Sequence, residues 1–303
     1  MCLDAISSQD YPEESREIIV VDNGSKDTSA QIAFQLGARV LVDDSLHVSG
    51  LRNLGAKESI GDILVFVDSD CVLDEKWTRT AVGALAQEDV AMVGSKTHKL
   101  PATAGWIEKT WKLHLDASAE EKEPSWLVTR ALAVKKKVFF EVGGFDEDLI
   151  TCEDVAFGHA VSKRHKIKNL VELSPTHLED PSTLQTFFFK EVWRGLGSTL
   201  TSLEYFRSSR AQLRDMSSVK EGLSLALPFY YIVSLLLFIL GIISLSPTLA
   251  YFAFLLIYGP PVGMAIRTCV KRGETGSVVE LFVLYSLYIA ARIWSLVVST
   301  WQR

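Results

Sequence analysis

The stretch ILVFVDSD, Ile63 to Asp70, sets an unbroken apolar run against two carboxylates one residue apart. Five apolar residues rich in β-branched and aromatic side chains read as a strand buried on both faces. Asp68 and Asp70 close that strand. Acids this near repel unless a cation neutralises them. Mg²⁺ and Mn²⁺ take oxygen ligands and are commonly held by one or two carboxylates together with substrate phosphates. A strand ending in Asp-x-Asp therefore points to a metal–diphosphate site. From these residues alone a solvated turn stays open as the alternative.

Outward from this stretch, β-rich runs alternate with helical ones. Strands are expected at Glu17–Asp22, Arg39–Val42, Asp62–Val67, Val90–Ser95, Leu127–Val134 and Ile167–Val171. Helices are expected at Asp27–Leu36, Val48–Ser59 and Glu75–Gln87. The alternation predicts an α/β domain with a mostly parallel, Rossmann-like sheet covered on both faces. Ligands of such sheets bind beyond the carboxyl ends of the strands. IIVVDNGSKD, Ile18 to Asp27, also ends its strand in an acid, Asp22. Both acid clusters are expected on one rim. Asp27 suits the N-cap of the next helix.

The chain has 303 residues and a formal charge of −6, which gives no sign of nucleic-acid binding. Its four cysteines show no CxxC pair and no metal-type spacing, so they fit a reducing compartment. Met1 to Pro12 does not read as a signal peptide. Hydrophobic residues are 48% of the chain and collect after about residue 223. Residues 225–245 and 248–266 carry no charge, and 278–299 has only Glu280 and Arg292. A helix needs about 20 apolar residues to cross a bilayer, so three spans are expected, with Pro260–Pro261 kinking or ending the second. Arg207, Arg210, Arg214 and Lys220 precede the first, and Arg267, Lys271 and Arg272 separate the second from the third. That basic, neutral, basic order predicts a multi-pass protein whose N-terminal domain is cytoplasmic. The domains expected are 1–206 and 207–303.

EIIVVDNGSKDTS, RNLGAKESIGDILVFVDSDC and EVGGFDEDLITCEDVAFGHAV, in that order, resemble the family 2 glycosyltransferases of the GT-A fold. The resemblance covers roughly Cys2 to Gly197. It implies a membrane-anchored, bacterial-type nucleotide-diphospho-sugar transferase. The donor would be a UDP- or GDP-sugar, the cofactor Mn²⁺ or Mg²⁺, and the acceptor lipid-linked or saccharide. Asp22 would contact the donor nucleoside, Arg52 and Asn53 the donor phosphates, and Asp68 the ribose, while Asp70 binds the metal. Asp154 would be the base that takes the acceptor proton, and Glu153 would help place it. Gly143, Gly144 and Phe145 would bring backbone close to the acceptor. His177, in SPTHLEDPS, would complete the metal shell, and Arg194 or Lys190 would meet the diphosphate. From the local residues alone, a turn former stays open as an alternative for Asp22, and Arg52 is equally a helix-surface residue and His177 a loop residue. Glu153 and Asp154 alone read as acids favoured in a first helical turn.

The chain departs from the family in two places. FFFKEVWRGLG, Phe187 to Gly197, lacks the Gln-x-x-Arg-Trp of processive polysaccharide synthases. It opens an amphipathic stretch, 183–206, suited to a membrane interface or to a plain core. MCLDAISSQDYP resembles the helix that follows the family's first strand, so the domain is expected to lack that strand and to bind donor weakly. Two rival functions remain. One is an inactive sugar-nucleotide-binding relic or scaffold of the same fold. The other is a haloacid dehalogenase-type phosphatase with Asp68 as nucleophile. It needs a strand leading into an acidic loop, for which GGFDEDL is the nearest match.

Overall fold

The computed structural model describes residues 1–119, 123–149, 151–195 and 217–301. The chain divides into two compact units. The first comprises Met1–Thr103 and Ser118–Asp180, the second Ala104–Ala117 and Pro181–Arg303. The boundary expected at residue 206 lies outside the described residues, as do Arg207, Arg210 and Arg214.

In the first unit α1 (Cys2–Ser7) is followed by β1 (Ile19–Asp22), α2 (Ser29–Gln35), β2 (Arg39–Val42) and α3 (Val48–Glu58). Then come β3 (Ile63–Val67), β4 (Cys71–Val72), α4 (Trp77–Leu85) and β5 (Val90–Gly94). Beyond α5 (Trp106–Ser118), most of which belongs to the second unit, follow β6 (Ala131–Lys135), α6 (Lys136–Glu141), α7 (Glu153–Ser162), β7 (Lys166–Asn169) and β8 (Thr176–His177).

The main sheet has the order β3-β6-β5-β7. β3, β5 and β6 read as near-continuous apolar runs because both faces are covered, whereas β7 is Lys-Ile-Lys-Asn. The period of two is visible in β3 and β6, and a register shift between Val90 and Met92 breaks it in β5. Leu64, Met92, Leu132 and Val134 join one core with Phe139, Phe145 and Phe157. Val90, Val93, Ala131 and Ala133 join the other with Trp77, Ala81 and Leu173.

The expectation of a mostly parallel sheet is corrected. β6 runs antiparallel to both β3 and β5, and β5 is parallel to β7. The cause is that β6 enters from the far rim and turns straight into α6, since Lys136 N donates to Asp62 O at 2.8 Å. β1 and β2 form a separate parallel pair, and no ladder joins β1 to β3 among the described residues. The strand expected from Leu127 starts at Ala131.

In the second unit, helix α8 covers residues 184–195 to the edge of the described region. α9 (Ser217–Ile243), α10 (Pro247–Arg272) and α11 (Val278–Trp301) follow. Among the described residues two helices, Pro247–Arg272 and Thr275–Val298, are long and apolar enough to cross a bilayer, and Tyr230–Ile243 within α9 is a shorter apolar stretch. α10 is helical through Pro260 and Pro261, so the prolines do not end it. Apolar side chains remain exposed along all three helices, among them Leu236, Ile243, Phe252, Val270 and Val279. Trp111, Phe187, Leu284 and Tyr285 form the core of this unit.

Candidate active site

The sheet topology places the chemistry on one rim. β3 and β5 both run antiparallel to β6, so their carboxyl ends point the same way, with the start of β6 between them. Asp68 and Asp70 follow β3, His98 follows β5, and Arg130 precedes β6. Asp68 N donates to Arg130 O at 3.1 Å, closing the rim.

A two-rung ladder supplies the next residue. β4 pairs antiparallel with β8, which sets Cys71 opposite His177. Leu178 N donates to Asp70 O at 2.9 Å beside it. His177 Nε2 thereby lies 3.1 Å from Asp70 Oδ2. The Asp70 carboxylate, Cys71 Sγ and a His177 nitrogen all fall within 4.8 Å of one another, a candidate metal site. Burial and the nearby Asp70 and Asp68 push the Cys71 thiol up, and its Sγ donates to Asp70 Oδ1 at 3.7 Å. The carboxylate oxygen of Asp70 and the imidazole nitrogen of His177 suit Mn²⁺. The residues therefore fit a divalent cation.

Arg52, on α3, reaches the same rim from the side. Its Nη2 donates to Asp68 Oδ1 at 2.8 Å and its Nη1 to Glu153 Oε1 at 2.6 Å. Arg52 thus ties the β3 tip to the first turn of α7. Asn53 next to it holds the loop before α7. Its Nδ2 donates to Phe145 O at 2.8 Å, and Phe145 N donates to its Oδ1 at 2.9 Å. A side chain at Gly144, where φ is +75°, would meet Asn53 Oδ1 at 2.8 Å. Gly143 and Gly144 end α6 in the left-handed region, where glycine carries least penalty. Phe145 is buried against Phe66, Phe139 and Phe157. GGFDEDL follows a helix rather than a strand, which removes the loop that the phosphatase alternative needs.

α7 starts from Cys152, a non-glycine residue at φ 65°. Such backbone costs about 1–3 kcal/mol and persists where the surroundings demand it. Glu153 and Asp154 are the first two residues of the helix. Asp154 Oδ1 accepts from Val155 N at 2.8 Å. Burial, then the negative charge of Glu153, push its carboxyl up to about 6 despite Arg52 and Arg130. The residue as a whole keeps partial exposure.

Asp22 and Arg194 are held by residues near them in sequence. Asp22 is buried at the end of β1 and accepts from the backbone N of Ser25 at 2.9 Å and from its hydroxyl. Arg194 belongs to the second unit, where its Nη1 donates to Glu191 Oε1 at 2.6 Å. Glu191 also accepts from Arg292 Nη2 at 3.1 Å.

Sequence reading missed His98, Asp180 and Arg130. His98 Nε2 lies 2.6 Å from Asp180 Oδ2, and Arg130 Nη1 contacts His98 Nδ1. Asp180 Oδ1 is 3.2 Å from His177 Nδ1. Burial favours the neutral Asp180 carboxyl, but hydrogen bonds from His177 and His98 outweigh it and hold the group far below the usual range. Asp180 stands three residues after His177 in SPTHLEDPS, and His98 closely follows a strand end. Those positions were the available signals.

Residues 1–145 match the family described as Glycosyl transferase family 2. The chain is 31% identical over 162 residues to glycosyltransferase AglE of Haloferax volcanii, covering 51% of this chain and 53% of that one. It is 26% identical over 175 residues to a probable N-acetylgalactosaminyltransferase 9 of Caenorhabditis elegans, covering 48% of this chain and 30% of the other. The chain thus spans about half the length of the first relative and less of the second. Among solved structures, mannosyltransferase PcManGT from Pyrobaculum calidifontis, in complex with GDP-Man and Mn²⁺, has a similar fold. The TM-score is 0.65 at 16% identity, over 99% of this chain and 82% of that one. This is the GT-A fold.

Proposed function

We propose, for a chain whose residues 1–145 belong to glycosyl transferase family 2, that Asp154 is the base of an inverting, metal-dependent transfer of a sugar from a nucleotide-diphospho-sugar to an acceptor hydroxyl. The observation that carries the reading is the Arg52 bridge, which joins Asp68 at the β3 tip to Glu153, the neighbour of Asp154, in the first turn of α7; burial and Glu153 push the Asp154 carboxyl up to about 6 in support. A base poised near working pH takes a proton most effectively.

Each residue then has a task. Asp154 accepts the hydroxyl proton as the acceptor oxygen attacks the anomeric carbon. The bond from that carbon to the diphosphate breaks on the opposite face, and the configuration inverts. Asp70 and His177 would hold Mn²⁺ or Mg²⁺, which when bound neutralises charge developing on the leaving diphosphate. Arg52 keeps Glu153 and Asp68 in register, so the donor side and the base side stay aligned. Asp22 and Asp68 are assigned to the nucleoside, and the backbone of Gly143 to Phe145 to the acceptor side.

The apolar helices support a second proposal. α9 to α11 are taken as a membrane domain, with the transferase unit on the cytoplasmic face and a lipid-linked or membrane-associated acceptor. The basic residues at the end of α10, Arg267, Lys271 and Arg272, favour that orientation. A screen of nucleotide-sugars by thermal shift, with and without Mn²⁺, followed by product analysis, tests the reading. A UDP- or GDP-sugar should stabilise the chain only with the cation and should be consumed. Binding of donor with neither hydrolysis nor transfer would favour the inactive relic.

A further inference from the structure

We propose that Arg130, His98 and Asp180 form a positioning relay that fixes the ring of His177, so that its Nε2 faces Asp70 as a cation ligand. The inference rests on the cation reading of Asp70 and His177 and extends it to three residues that no metal need touch.

The hydrogen-bond directions follow from chemistry. Arg130 has donors and no acceptor. Its Nη1 contacts His98 Nδ1, so that nitrogen is the acceptor and the ring proton sits on Nε2. His98 Nε2 then donates to Asp180 Oδ2 at 2.6 Å. His98 is only 1% exposed, so this neutral, oriented ring is walled in. Asp180 offers its other oxygen to His177 Nδ1 at 3.2 Å. That nitrogen is buried and completes no hydrogen bond of full geometry, and the Asp180 carboxylate beside it is the acceptor toward which its proton would turn. The His177 lone pair is left on Nε2, 3.1 Å from Asp70 Oδ2. An imidazole lone pair and a carboxylate oxygen facing one another at this distance form a seat for a cation. Ligating histidines usually donate their second nitrogen to a carboxylate, and loss of that partner weakens metal binding about 10–100-fold.

A rival reading comes from the same residues. His98, His177 and Asp180 offer ligand atoms within 4.8 Å of one another and could form a second, closed metal site. The Arg130 contact argues against it, because it leaves His98 Nε2 protonated. The relay predicts one ion per chain.

Calorimetric titration of the full chain in detergent with Mn²⁺, alongside metal-free melting, tests the relay. One ion should bind, and Asp70→Ala should abolish binding. Asp180→Ala and His98→Leu should weaken it about 10–100-fold. His98→Gln should restore near-normal affinity, because its amide can both donate to Asp180 and accept from Arg130. Simple loss of packing would not be rescued in that selective way. Asp180→Asn keeps the shape and one acceptor oxygen, and it carries the test if alanine unfolds the chain; binding about tenfold weaker is expected. Unchanged affinity in the Asp180 variants overturns the relay while Asp70→Ala still loses the ion. Two ions per chain, with one lost in His98→Leu, also overturn it. No Mn²⁺ binding by the unaltered chain removes the relay and the cation of the proposed function together.

Discussion

Asp154 and Glu153 are neighbouring acids in opposite situations. Glu153 is paired with Arg52 at 2.6 Å, while Asp154 is pushed up to about 6 by burial and by Glu153. The transfer rate should therefore fall as pH drops through about 6, as the base becomes protonated; a pH profile of kcat lacking an ionisation near 6 would count against Asp154. The same shift has a stability sign. A carboxyl whose folded value lies above its unfolded one stabilises the fold at low pH and loses that contribution as pH rises through 6. Asp154→Asn should thus be the more stable protein at pH 7.5, by about 1–3 kcal/mol, with the gap closing below pH 4. Parallel denaturant titrations at both pH values measure it. Arg52 gives the reverse case. Arg52→Met would leave Asp68 and Glu153 without their shared cation and should cost about 1–3 kcal/mol, read as a lower melting temperature.

α7 owes its place to Gly158, one turn after Asp154. A side chain there would strike the Cα and Cβ of Trp126, so the helix lies flush against that loop. Gly158→Ala should push Asp154 out of line and lower kcat with donor affinity retained, measured by steady-state kinetics beside calorimetry. A matching loss of donor affinity would place the effect elsewhere. Elements with a strong pattern were legible in the sequence. Arg39–Val42 appears as expected, and Val48–Ser59 is one residue shorter. The β4–β8 ladder was not legible, because two-residue strands have no periodicity. Yet this ladder sets His177 beside Asp70. The direction of β6 was hidden too, since a strand buried on both faces reads the same in either direction.

The mixed-sheet unit ends at Asp180, well before residue 223, where charge thins along the sequence. Chain-wide hydropathy located the apolar helices but gave no hint that α5, far upstream, contributes Ile107 and Trp111 to the core of the second unit. A helix that packs with segments distant in sequence carries no local mark of its partner. If α9 to α11 lie in a bilayer, the full chain should stay with membranes through an alkaline wash and leave them in detergent. Release by the wash alone would make them a soluble bundle.

The acids of α7 and of the β3 tip belong to one unit, and the strut of Arg52 between them makes a single reaction site the central claim. Single-turnover sugar transfer by Asp154→Asn, with donor affinity measured on the same preparation, tests that claim most directly. Donor binding close to that of the unaltered chain with transfer abolished is the predicted result; turnover at the normal rate would contradict it.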